Sequence, residues 1–179
     1  MQPSDPAYTT SLKLNSPRRR MANSSTTLRN VNVEDTLRSV IVSLIDDQRF
    51  FQKLGETVKD DLLKKYFLAV SLKCAQFRGD LETALHQEGM HDIVEAGSVS
   101  GVIYHMWAEL QAKLHEGDHA LLVTAEQAGG DTVRAYRDAL DKELPLPVRQ
   151  LLSSQAAYIE GSHDYVKAAC DSGAYLPPK

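Results

Sequence analysis

The chain has 179 residues, with 20 Lys and Arg against 24 Asp and Glu, and its formal charge of -4 and isoelectric point near 5.8 carry no footprint for nucleic acid or an anionic membrane. Its 42% hydrophobic and 25% charged residues are the make-up of a soluble packed domain and exclude a disordered or fibrous chain. No apolar run approaches the roughly 18 to 20 residues that span a bilayer, and the N-terminus lacks the apolar stretch of a secretory signal, so a cytoplasmic protein is expected.

Residues 1–31 hold Pro3, Pro6 and Pro17, many Ser, Thr and Asn, and the run Arg18-Arg19-Arg20, with almost no periodic apolar pattern. They are expected to be a disordered tail with solvated arginines. Met21, which opens Met-Ala-Asn-Ser-Ser, is an alternative start of translation. From Asn32 to Gly173 the pattern is helical, a bundle domain followed by a short tail at 174–179. The first helix is expected from Val33, with Asn32 as N-cap, to about Thr57, on the stripe Leu37, Val40, Ile41, Leu44, Phe51, Leu54 and Val58. The second runs from about Asp60 to Gln87 on Leu63, Phe67, Val70, Cys74, Phe77, Leu81 and Leu85, and Gly89 closes it.

The third long helix is expected from Asp118, read as its N-cap, to Lys142, with Leu121, Leu122, Ala125, Val133, Tyr136 and Leu140 inward. Pro145 and Pro147 break the chain, and a fourth helix opens at Pro147 and carries Val148, Leu151, Leu152, Ile159, Val166 and Ala169 up to Gly173. Four helices of about 25 to 28 residues are each roughly 40 Å long, a set of equal rods suited to a bundle. The short links within each pair force two antiparallel hairpins. The middle link, residues 89–117, is long enough to travel back along the bundle and holds a short amphipathic helix over Ser98–His115, with Val102, Ile103, Met106, Trp107, Leu110 and Leu114 inward. One long helical crossover between the second and third long helices makes this an all-α, ferritin-like four-helix topology. A plain up-down bundle of five helices is the rival.

The segments Leu37–Val58 and Lys59–Glu82, the Gly97-Ser98-Val99-Ser100-Gly101 turn before Trp107, Tyr136-Arg137-Asp138-Ala139-Leu140, Gln155 and His163-Asp164 follow a pattern of their own. In their order and spacing the chain resembles a bacterial ferritin-like four-helix-bundle family of unknown function, typified by a Pseudomonas protein, over about residues 33–172. The resemblance implies the fold, no defined activity, and a theme of stress response.

A ferritin-like di-metal site takes one Glu from each of two helices and Glu-x-x-His from each of the other two, because residues three apart share a helix face. The candidates are Glu160 and His163, spaced in that way, with Glu126 on the third helix and Asp47 on the first. The second helix offers Lys73, Gln76 and Asp80 instead of Glu-x-x-His, and Gln48 stands where the resemblance implies an acid, so the set is short of the hard anionic shell that iron or manganese favours. The competing reading of the same core is a buried polar layer of Gln48, Gln76, Gln155 and His163 that fixes the helix register, with Glu160 facing water. Gly129-Gly130 mark either a kink that re-aims Glu126 or the close approach of a large side chain such as Trp107 or Phe77. Cys74 and Cys170 read as buried free thiols, and His86, His91, His105, His115 and His119 as surface residues. No phosphate loop, nucleophile elbow or Cys-x-x-Cys occurs, so a non-enzymatic protein is expected, associating with itself through an exposed apolar helix face. Its alternative is a ferritin-like protein with a partial iron or manganese site.

Overall fold

A computed structural model describes residues 19–87, 108–113 and 115–174, with side chains from Val33 onward. The described residues are all-helical. The four long helices are α1 (Arg19–Thr57), α2 (Asp61–Gln87), α3 (Asp118–Leu140) and α4 (Leu146–Asp171). A short helical segment, residues 108–113, lies between α2 and α3 and buries Leu110. The rest of the expected crossover helix, Trp107 included, falls outside the described residues, as do residues 1–18 and the C-terminal five.

α1 starts at Arg19, inside the stretch expected to be a tail, and Asn32 lies within the helix instead of capping it. The backbone chemistry permits this: Pro17 is the last proline before the helix, and neither Pro nor Gly follows until Gly55. From Val33 the apolar stripe is buried as its spacing requires, with Leu37, Val40, Leu44 and Leu54 fully enclosed and Phe50 added to the expected set. α2 starts under an Asp60 cap, whose carboxylate accepts from the N–H groups of Leu62 and Leu63, both at 2.9 Å.

At the start of α3 the cap differs from the expected one. Gly117 holds the capping position at φ 94°, a left-handed conformation that glycine adopts without strain, and Asp118 is already helical. Its carboxylate is then free to accept from the backbone N–H groups of Lys59, at 3.0 and 3.2 Å, and Asp60, at 2.8 Å. One acid thus fastens the turn between α1 and α2 to the N-terminus of α3. α4 begins at Leu146, with Pro147 in its first turn. Arg149 donates to the carbonyls of Leu140 and Lys142, at 2.8 and 2.6 Å, and closes the α3–α4 turn.

The tie through Asp118 places the start of α3 at the same end as the start of α2, so α2 and α3 run parallel to each other and antiparallel to α1 and α4. α1 packs along α2 and α3, α4 packs along α3 and, on the thinnest seam, along α2; among the described residues the backbones of the diagonal pairs α1/α4 and α2/α3 stand farther apart. One core joins all four long helices, with Phe51 stacked on Phe67 at 5.9 Å between ring centroids.

Candidate functional site

The charges of the candidate ligands are engaged separately. Glu126, on α3, receives Lys167 at 3.4 Å. Glu160, on α4, is partly exposed and is gripped by Arg137, whose Nε and Nη2 both stand 3.0 Å from the same carboxylate oxygen. Its water-facing expectation fits this better than a ligand role. His163 is partly buried, and its imidazole Nδ1 lies 3.6 Å from Asp164. Among the described residues no three His, Cys, Asp or Glu side chains group as metal ligands. Two carboxylates held by their own cations do not fit a di-metal centre.

Asp47 is the unusual member. It is buried between α1 and α3, and burial pushes its carboxyl up to about 8, opposed by a hydrogen bond with Thr132 and reinforced by Asp46 and Asp131. At neutral pH it is therefore a neutral carboxylic acid. Asp47 also forms a wall shared by two spaces. On one side a groove of about 490 Å³ runs along the α1–α3 seam. On the other an internal space of about 10 Å³, room for one water, is bounded by Asp47, Ser162, His163 and Gly129. Among the described residues, Asp47 and His163 of the four candidates are brought to one cavity.

The glycine pair faces His163. A Cβ on Gly129 would stand 3.6 Å from Cδ2 of the imidazole, and one on Gly130 would stand 3.6 Å from Nε2. α3 continues through both glycines as unbroken α-helix, so neither a kink nor an approach of Phe77 accounts for them.

A buried polar layer exists with a different membership from the expected one. Gln155 is buried; its side-chain oxygen accepts from the Tyr136 hydroxyl at 2.9 Å and its amide donates to the Phe77 carbonyl at 3.3 Å, which links α3, α4 and α2. Gln48 contributes only its backbone carbonyl, to Ser71 at 2.8 Å, and Gln76 is exposed and accepts from Lys73 at 2.9 Å. A glutamine has two more rotatable bonds than the stripe spacing registers, so position alone does not say whether its amide turns in or out. His163 sits nearer the other end of the bundle, against the glycines. Tyr136 belongs to the layer but its ring also fills the core, and its hydroxyl gave no separate signal in the apolar pattern. A second polar contact joins α2 to α4, where the Tyr66 hydroxyl lies 2.8 Å from the Ser162 hydroxyl and donates to the Ser162 carbonyl at 3.0 Å; burial pushes this phenol up to about 12.

Cys74 is fully buried, and burial raises its thiol well above the ordinary range, which keeps it un-ionised and inert. Cys170 is only half-buried, because the last turn of α4 lies at the end of the bundle. His86 and His115 are exposed as expected, whereas His119 is partly buried and its Nδ1 has no hydrogen-bond partner among the described residues; His91 and His105 lie outside them.

Residues 32–142 match the model of a family described as a domain of unknown function (DUF2383). The match takes in more than half of the chain and stops before α4, although α4 completes the same core. The chain matches none of the curated proteins compared with it.

Proposed function

We propose that this chain, which belongs to the family described as domain of unknown function (DUF2383), is a ferritin-like bundle with a structural, non-enzymatic role that it performs by associating with itself. The parallel run of α2 and α3 across the diagonal supports a ferritin-like crossover, since a chain leaving the end of α2 must return along the bundle to begin α3 beside the start of α2. A cytoplasmic setting is part of this proposal, and a part in stress response is what the resemblance implies.

The observation that carries the structural reading is the way the polar groups of the core and its rim are used. Tyr136, Gln155 and the Phe77 carbonyl satisfy one another, and Glu126 and Glu160 are neutralised by Lys167 and Arg137. Such an arrangement fixes which helix faces meet and offers substrate no activated nucleophile. Among the described residues no helix is long and apolar enough to cross a membrane.

A second reading keeps iron or manganese, held by Asp47 and His163 with Glu126 and Glu160 moved in from the rim. The cavity shared by Asp47 and His163 is the observation in its favour. Elemental analysis of full-length protein, purified without chelator from cells supplied with both metals, separates the two. Metal-free protein is expected; stoichiometric metal that is lost in both Asp47→Asn and His163→Ala would establish the second reading and remove the first.

A further inference from the structure

α4 carries Tyr158, Gly161 and Tyr165 at spacings of three and four residues, which puts a glycine between two tyrosines on one helix face. With Tyr66 of α2 they wall a groove of about 360 Å³ on the thin α2–α4 seam, a size that takes a small molecule. Ala157 and Ser162 complete the lining among the described residues, so the walls are aromatic, the rest is small, and no Leu, Ile, Val or Met takes part. Tyr158 and Tyr165 are 37% and 49% exposed, so their rings are open to a partner.

The space above Gly161 is not used by the fold. A Cβ there would meet nothing within 4 Å, whereas one on Gly129 or Gly130 would touch His163. Glycine inside a helix costs about 1 kcal/mol relative to alanine, and here no neighbouring side chain fills the gap in return. The polar groups around the gap are also uncommitted. The Tyr66 hydroxyl is held by Ser162, but those of Tyr158 and Tyr165 make no hydrogen bond among the described residues. Lys73 lies on the Tyr66 face of α2, two turns on, with its ammonium 5.6 Å from the centroid of the Tyr158 ring. It donates to Gln76 and pairs with no carboxylate among the described residues. The nearby acids are engaged or distant: Asp164 stands 3.6 Å from His163, Glu160 is held by Arg137, and Asp80 and Asp61 are about 10 and 18 Å from Lys73 along the axis of α2.

We propose that this groove binds a small planar aromatic carboxylate, with its ring over Gly161 between Tyr158 and Tyr165 and its carboxylate on Lys73 and the Tyr158 hydroxyl. Tyrosine rings favour another ring, by stacked or edge-on contact, over an alkyl chain, and the groove has no branched aliphatic wall for such a chain to lie on. Lys73 sets the sign of the ligand's charge, because it is not neutralised and already covers the Tyr158 ring that would otherwise draw a cation. Neither self-association nor a metal enters this reading.

Isothermal titration calorimetry of the full chain with 2-naphthoate, and with cyclohexanecarboxylate and 2-naphthylmethylamine for comparison, tests the proposal. Saturable binding of one naphthoate per chain is expected, with each comparison compound weaker by about tenfold, the scale of one lost aromatic contact or one reversed charge. Lys73→Gln should weaken naphthoate by about threefold and remove the salt dependence of its binding. Gly161→Leu fills the gap without displacing a neighbour and favours the helix, so it should abolish binding in a chain that unfolds no lower than the wild type. A wild-type chain that takes up no naphthoate, or binding that survives in folded Gly161→Leu, overturns the site. Equal affinity for cyclohexanecarboxylate, tighter binding of the amine, or an unchanged salt dependence in Lys73→Gln overturns the proposed ligand. Should Gly161→Leu fail to fold, Lys73→Gln, at a partly exposed side chain, decides alone.

Discussion

Asp47 shows how burial outweighs local partners at a single residue. Thr132 offers its carboxyl one hydrogen bond, but desolvation and the nearby Asp46 and Asp131 keep the acid neutral up to about pH 8, against 3.8 for an ordinary aspartate. Between those values the folded chain holds a proton that the unfolded chain has released, so this residue lowers stability as pH rises, at a slope of about 1.4 kcal/mol per pH unit. Below the lower value the effect vanishes, and above the upper one it is constant. Asp47→Asn removes it while keeping a hydrogen-bonding group, and should raise the unfolding free energy at pH 7 by about 2 to 4 kcal/mol, with no gain near pH 4. Urea unfolding of both proteins across that range checks the prediction, and parallel pH curves would show Asp47 to be ionised in the fold. Tyr136 makes the opposite case. Tyr136→Phe keeps the ring and strands the Gln155 oxygen in the core, at a cost of about 1 to 3 kcal/mol in the same measurement. Neither behaviour was legible from the sequence, which marks Asp47 as a candidate metal ligand and Tyr136 as a member of an apolar stripe.

At the scale of the helix, what the sequence made legible was the spacing of apolar residues. Leu63, Phe67, Val70, Cys74, Phe77, Leu81 and Leu85 recur at helical intervals and are all buried, because a period of three and four residues has no other way to put one face on a core. The ends were less legible, since they depend on partners distant in sequence. Asp118 serves the turn before α2 and not its own helix, and Arg149 closes the end of α3 from within α4. The glycines divide in the same way. A Cβ on Gly55 would lie 2.8 Å from Leu68 Cγ and 3.1 Å from the Leu68 backbone nitrogen, whereas at Gly79 nothing stands within 4 Å, and at Gly130 the nearest atom is in ordinary contact. Gly79→Ala and Gly130→Ala should therefore each stabilise by roughly 0.5 to 1 kcal/mol, the helix-propensity difference. Gly55→Ala should destabilise by about 1 kcal/mol or more as α1 and α2 are forced apart. Thermal unfolding of the three variants gives the signs, and a gain at Gly55 would mean that the α1–α2 crossing is not tight.

For the whole molecule the question is whether two hairpins behave as one unit. Hairpins alone would follow from the short turns, and the sequence shows the second of those plainly through Pro145 and Pro147. What joins them is spread over the bundle's length: Asp118 on the Lys59–Asp60 turn at one end, the Tyr66–Ser162 contact further along, and Tyr136–Gln155–Phe77 nearer the other end, with the shared core between. None of these ties can be read from spacing, because each pairs residues whose separation is set by the fold. Links distributed in this way make partial opening expensive, since parting the hairpins anywhere exposes apolar surface along their whole contact. The dilute chain should therefore unfold in one cooperative transition, with coincident urea curves from far-ultraviolet circular dichroism and tyrosine absorbance. Asp118→Ala removes the end tie and should lower the midpoint of both curves together, by about 1 to 2 kcal/mol in free energy, without splitting them. Separation of the two curves in that variant would show that the α3–α4 hairpin opens first, and that the single tie at the turn, more than the distributed core, holds the bundle as one body.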